Sequence, residues 1–339
     1  MSERPTAELL ADRGAAAESD EFFRSRQFLD AERVTHTLRI DTGDTELLAP
    51  LIVRDIPMSS PLTANGAEKG GLTLRDAVSP YGYPGLSIAA SDIDHTRTGS
   101  MSDAAIDPSA IDFSATGLVS VFLRHTLAEP PPLSGTSERN VVQIADPELP
   151  RKSRPSDRNQ VNKNRRAGYE VELVAGTDST PEQREGFLAA YEQTMRRTAA
   201  SERYFFDAAY FDRILESPRA TLALASAPGG EIAAASIAVR SDGALHYYLS
   251  GSADSHLRDS PMKNVLTALV DLSIEQGLPL NLGGGISSGD RLEEFKRGFA
   301  NREQPWRTSE VVCDTDAYAR LSAGLEAGGF FPAYRAGPT

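Results

Sequence analysis

The sequence predicts an α/β (α+β) fold in two domains, each a mixed, mostly antiparallel sheet flanked by helices. Three observations point there. The chain has 339 residues, and single domains run to about 150. It is 40% hydrophobic without excess proline or glycine, enough to bury two cores. Its second half alternates strand-period and helix-period segments joined by short turns.

Residues 1–17 are rich in alanine and charge and are expected to be disordered. A helix is expected from Asp20 to about Arg33, anchored by Phe22, Phe23 and Phe28. "RVTHTLRI" and "TELLAPLIVRDI" read as strands around a "DTGD" turn. "SPYGYPG", Ser79 to Gly85, is punctuated into irregular structure by proline and glycine. "GLVSVFLRH" and "NVVQIAD" read as strands. A domain boundary is expected near residue 150, with a first domain over 18–150 and a second over 151–313. A C-terminal helix over 314–339 is expected to return to the first domain.

The second half begins with the strand "GYEVELVAG". A helix follows from Pro181, with Thr180 as N-cap, and "DAAYFDRILES" is a second. "RATLALAS", "EIAAASIAVR" and "ALHYYLSG" are separated by short turns, so they form an antiparallel meander. "PMKNVLTALVDLSIEQG" is a helix closed by Gly277. "LPLNLGGG" is a short strand, "GDRLEEFKRGFA" a helix and "EQPWRTSEVVC" a last strand.

The net charge of −13 argues against a broad nucleic-acid surface. Arg151 to Arg166, "RKSRPSDRNQVNKNRR", is the local exception, with seven basic residues and one acid. It reads either as a solvated face or as a contact for phosphate groups. No apolar run approaches the ~20 residues of a membrane span, and no signal-peptide core opens the chain. The lone Cys313 excludes an internal disulfide. A cytoplasmic protein is expected. "DIDH", with Asp92, Asp94 and His95, is too sparse a donor set for a metal site, so none is expected.

"GGGISSGDRLEEFKRGF", Gly283 to Phe299, invites a phosphate-loop reading and fails it. Such a loop needs Lys and Ser/Thr after its second glycine. Here Asp290 and Arg291 follow Gly289, and a carboxylate would repel phosphate.

The order of the second half, β-α-α-β-β-β-α-β-α-β, resembles the GNAT acyltransferase fold. An ordered set of segments resembles the Fem-like peptidyl transferases within that superfamily: "SPYGYPG", "FLRHTL", "DRNQVNKNRRAGYEVEL", "YEQTMRRTAASERYFFDAAYFDRI", and "YYLSGSADSHLRDSPMKNVL…GLPLNLGGG" followed by "LEEFKRGF". The resemblance spans roughly residues 20–330. It implies tandem GNAT-like domains with a cleft between them. It also implies transfer of an amino acid from aminoacyl-tRNA to the amine of a peptide or peptidoglycan-precursor acceptor. The length leaves no room for the coiled-coil insertion of some members.

By the same resemblance Lys296 matches the lysine of the family's "FK" pair and is assigned to the reacting centre. Phe295 beside it is set against the terminal adenosine. The alternative for Lys296 is a solvated helix lysine paired with Glu293 or Glu294. Gly284 and Gly285, with Gly283, are expected to end a strand facing the site, where a missing Cβ allows close backbone approach. Tyr81, Tyr83, Arg124 and, more weakly, Arg54 are candidate acceptor-binding groups, aromatic surface and guanidinium forks suiting that task. Tyr204 and Tyr248 are candidates for the second domain's side. Arg158, Lys163, Arg165 and Arg166 are candidates for the tRNA acceptor end. His125 and His246 are candidate bases, against a structural role. No cofactor is expected beyond the aminoacyl-tRNA co-substrate.

Two alternatives stand beside this reading. An acyl-CoA-dependent GNAT enzyme needs a glycine-rich turn at a helix N-terminus to cradle pyrophosphate. The matching position reads "LRDSPMKN", with no glycine and with Asp259. A non-catalytic module that kept the fold is the other.

Overall fold

The computed structural model describes residues 4–57, 73–89, 105–128, 130–285, 289–325 and 329–336. Asp92, Asp94 and His95 lie outside them. Among the described residues no group of three or more His, Cys, Asp or Glu is placed to hold a metal. No helix among them is long and apolar enough to cross a membrane. Among the described residues, thirteen strands, β1–β13, and seven α-helices, α1–α7, are numbered in chain order.

The chain divides into two compact units. The first comprises residues 1–19, 32–139 and 306–339. Its strands are β1 (Thr6–Leu10), β2 (His36–Asp41), β3 (Glu46–Asp55), β4 (Arg75–Val78), β5 (Ser87–Ile88), β6 (Leu118–Arg124) and β13 (Arg302–Val312), the last from Trp306 onward. They run in the order β1-β2-β3-β4-β6-β13, with β5 on β3. The β4–β6 pairing is parallel and the others are antiparallel. Leu38, Leu51, Val121, Leu123 and Leu133 fill the core.

Residues 4–17 are ordered, against expectation. β1 pairs with β2 in register Thr6↔Asp41 to Leu10↔Thr37, and Ala7 is buried. Small residues gave no strand period, and the partner strand supplies the order. The expected C-terminal helix is α7 (Thr315–Ser322) alone, packing Ala317 and Leu321 on Ile56 and Val119. Ala323 is extended and Gly324 takes φ 73°, which ends it.

The second unit comprises residues 20–31 and 140–305, so the division differs from a split near 150. β7 (Ser137–Ala145) explains the difference at one end, since its later residues pair with β12 (Leu280–Asn281). At the other, Phe22, Phe23 and Phe28 belong to this unit. The expected helix over 20–33 is a single 3-10 turn, Phe22–Arg24, followed by α1 (Arg26–Ala31). The three rings pack edge-on around Tyr248, and Arg24 pairs with Asp242.

The remaining elements follow the expected order. They are α2 (Pro155–Arg166), β8 (Glu170–Ala175), α3 (Pro181–Arg197), α4 (Ala208–Leu215), β9 (Ala220–Ser226), β10 (Ile232–Ser241), β11 (Ala244–Ser252), α5 (Met262–Gln276) and α6 (Arg291–Arg297). Thr180 caps α3 in a full capping box with Gln183. Gly277, at φ 64°, closes α5. β8 to β11 form an antiparallel meander, β12 joins β11 in parallel, and β7 follows. Val265, Leu266 and Leu269 of α5 cover this sheet.

One feature of the sheet positions the site. β11 and β12 pair only at Leu245↔Leu280 and His246↔Asn281. β11 continues to Ser252, whereas the chain beyond Asn281 stays with β7 through Leu282 N–H to Gln143 O and Gln143 N–H to Gly283 O. The two strands therefore splay and leave a wedge.

Candidate active site

Lys296 occupies that wedge. α6 is capped by Asp290, whose carboxylate accepts the Glu293 N–H at 2.8 Å. Lys296 lies one and a half turns in. Its Nζ donates to the Gly284 carbonyl oxygen at 2.7 Å and lies 6.0 Å from the Tyr247 ring centroid on β11. The residue is 8% exposed. Burial pushes its ammonium down to about 8, with Asp290 pulling the other way. A protonated lysine carries three donors, of which one serves Gly284 among the described residues. Lys296 is not the solvated partner of Glu293 or Glu294. Those carboxylates turn to Arg297, and Glu294 also to Arg154.

The glycines make this packing possible. Gly283 takes φ 73°, and a Cβ there would meet Lys296 Nζ at 3.2 Å. A Cβ on Gly284 would lie 2.6 Å from Asn140 Cγ. The close approach is thus to a side-chain amide and an ammonium. Gly285 serves through its carbonyl, which accepts from Asn140 Nδ2 at 3.0 Å. Behind the turn, Gly283 N–H donates to Asn281 Oδ1 at 2.8 Å. Asn281 Nδ2 lies 3.1 Å from His246 Nδ1, and His246 Nε2 reaches the Ser241 carbonyl. Burial drives His246 down to about 4, so it is a neutral brace.

Residues 151–297 match the acetyltransferase (GNAT) domain family. That segment, somewhat under half of the chain, is similar to the GNAT domain. The structure of FemX is similar at TM-score 0.52 and 12% identity, covering 83% of this chain and 89% of that one. That match spans both units and shows a shared fold. A conserved protein of unknown function from Bacteroides thetaiotaomicron is similar at TM-score 0.49 and 12% identity, over 89% of this chain and 93% of that one. L-PGS from Bacillus licheniformis is similar at TM-score 0.43 and 16% identity, over 53% of this chain and 62% of that one. No curated protein matches the sequence.

In the GNAT domain the turn before α5 is closed. The N–H groups of Lys263, Asn264 and Val265 are taken by the Ser260 and Pro261 carbonyls. Asn164 and Gln160 of α2 donate to the Asp259 carbonyl at 2.8 and 3.0 Å, and Asp157 pairs with Lys263 at 3.0 Å. The Asp259 carboxylate is held by Tyr169 at 3.2 Å. α2 thus packs directly against this turn, with the Asp259 carboxylate beside it.

A groove of about 450 Å³ opens on the other side of α2. Arg151, Lys152, Arg158 and Arg165 line it over a floor of Val161, Val270 and Phe299. Arg151 pairs with Asp271 at 2.5 Å, and Arg158 donates to the Ser153 carbonyl. The four tRNA candidates therefore separate. Arg158 and Arg165 share the groove, Lys163 sits 3.6 Å from Asp259, and Arg166 is exposed.

The other candidates make contacts of their own within each unit. Phe295 is half-buried and packs against the core of the second unit, 5.8 Å from Phe299. Tyr248 faces away from Lys296, because successive strand residues point to opposite sides. Its hydroxyl meets Tyr210 at 2.8 Å among the phenylalanines of residues 20–31. Tyr204 lies under Arg203, 4.8 Å from its ring, in the turn between α3 and α4.

Tyr81, Tyr83, Arg54 and Arg124 belong to the first unit. Tyr83 packs edge-on to Trp306 at 5.5 Å, and Glu32 accepts the Tyr81 N–H at 2.9 Å. Arg124 donates to the Ser79 carbonyl and lies 5.2 Å from the Phe122 ring. Arg54 reaches Asp76 at 3.0 Å, a buried carboxylate that Arg335 also holds. These contacts brace the loop and the sheet. His125 is buried against Ser309 at 2.8 Å, and burial pushes it down to about 4.

Sequence reasoning missed Tyr247 and Asn140. Tyr247 sits in the quoted "HYYLSG", where alternation offers one tyrosine to each face. Asn140 carried no local signal.

Proposed function

We propose that the chain is an aminoacyltransferase that moves an aminoacyl group from aminoacyl-tRNA to the amine of a peptide or peptidoglycan-precursor acceptor. The amine nitrogen attacks the ester carbonyl carbon, and the C–N bond forms. The tetrahedral intermediate collapses by breaking the ester C–O bond, and the ribose oxygen leaves with a proton. The Lys296 ammonium lies beside the carbonyl oxygen and stabilises its developing charge, an effect worth about 3–4 kcal/mol. Because burial brings its proton down to about 8, the same group can hand a proton to the leaving oxygen and recover one from the acceptor amine. The ester is already activated, so positioning supplies the rest and no further cofactor is required.

The observation that carries this reading is the buried Lys296 in the wedge between β11 and β12. The closed turn before α5 supports a donor other than acyl-CoA. The basic groove beside α2 supports one with several phosphates. The test offers the purified protein mixed charged tRNAs or acetyl-CoA, each with peptide amine acceptors, and reads products by mass. Transfer from charged tRNA alone is expected. Transfer from acetyl-CoA alone overturns the proposal.

A further inference from the structure

The lysine anchor depends on a backbone that cannot hold itself. Lys296 Nζ is fixed by the carbonyl of Gly284, which lies in a run of three glycines after a two-residue strand. Glycine leaves both backbone torsions free, so that carbonyl has many directions available. On the upstream side Asn281 and Gln143 hold Gly283. On the downstream side the hold comes from Asn140. Its Nδ2 donates to the Gly285 carbonyl at 3.0 Å, and its own Oδ1 accepts the Val141 N–H at 2.8 Å. The amide is therefore fixed at both ends. It lies so close to Gly284 that a Cβ there would stand 2.6 Å from Cγ and 2.8 Å from Oδ1.

We propose that Asn140 is a positioning residue, clamping the Gly284–Gly285 backbone so that the Gly284 carbonyl directs the Lys296 ammonium into the wedge. This rests on Lys296 being the reacting cation. Without the clamp the glycine run swings, water replaces the carbonyl, and the ammonium is solvated. Its proton affinity then rises toward that of an ordinary lysine.

The chain has five lysines, so protein labelled with 13C at lysine Cε gives few signals, and Lys296→Arg identifies the one from Lys296. In the wild type that signal is expected to titrate near 8. In Asn140→Ala the midpoint rises by about one unit or more. kcat for aminoacyl transfer falls at least roughly tenfold, while the donor KM stays within about twofold. Should Asn140→Ala fail to fold, Asn140→Ser, which also lacks the reach to Gly285, gives the same readouts. A wild-type midpoint with unchanged kcat in the folded variant overturns the clamp, even if its thermal stability drops. The titration needs no substrate. A protein that transfers nothing while Lys296 still shifts loses the transferase reading alone, whereas a wild-type midpoint near 10.5 removes both.

Discussion

Replacing Lys296 with methionine should stabilise the protein while removing its activity. The ammonium is lowered from 10.5 to about 8 by burial. At about 1.36 kcal/mol per unit, holding the charged form in the fold costs about 3 kcal/mol. The sign follows from proton binding. Between pH 8 and 10.5 the unfolded chain binds this proton more than the folded one does, so stability rises with pH there. Below pH 8 both states are charged and the fold bears the full penalty, and above 10.5 neither is charged and the penalty vanishes. Lys296→Met removes the charge, keeps the apolar length, and strands the Gly284 carbonyl at about 1 kcal/mol. A net gain of about 2 kcal/mol is expected at pH 7. Urea unfolding of both proteins at pH 7 and pH 10 measures it, and taking the difference cancels every other titrating group. The advantage should shrink toward zero or reverse at pH 10. A variant less stable than wild type at pH 7, with a pH-independent difference, would refute the reasoning.

Other consequences follow from the same geometry. The transfer rate should fall as pH rises through about 8, where Lys296 loses its proton. In Lys296→Arg, whose guanidinium stays charged, whatever rate survives should lose that fall, and a pH–rate profile checks both. Gly284→Ala should cost about 1–3 kcal/mol through its clash with Asn140, and urea unfolding should show part of the loss recovered in an Asn140→Ala background. Arg158→Glu with Arg165→Glu should weaken binding of charged tRNA and lower the log–log salt slope by about two, measured by titration at several salt concentrations.

Much of the GNAT domain was legible because its strands and helices are periodic and capped. Thr180, Pro181 and Gly277 marked ends that the structure places where local rules put them. What failed was non-local. Phe22, Phe23 and Phe28 read as a helix of the first domain, yet they cover β10 and β11 in the second unit. They pack on the His246 and Tyr248 face of β11, which leaves Tyr247 on the α5 face with Lys296. Asn140 acts across 145 residues on Gly285, and no local pattern carries such a contact. The division of the basic run was available in principle. Arg158 and Arg165 are seven apart, about two helical turns, and so share a face, while Lys163 does not. Lys296 itself was singled out only through resemblance to a family. The polarity and burial of its surroundings came only with the splay of two strands.

A single-turnover experiment at pH 7 reaches the central claim most directly. Saturating Lys296→Met and wild-type protein are each mixed with an aminoacyl-RNA minihelix and an amine acceptor, and amide formation is timed. A buried ammonium that steadies the oxyanion predicts a rate about 10²–10³ lower in the variant, with minihelix affinity unchanged. Equal rates in the two proteins would contradict it.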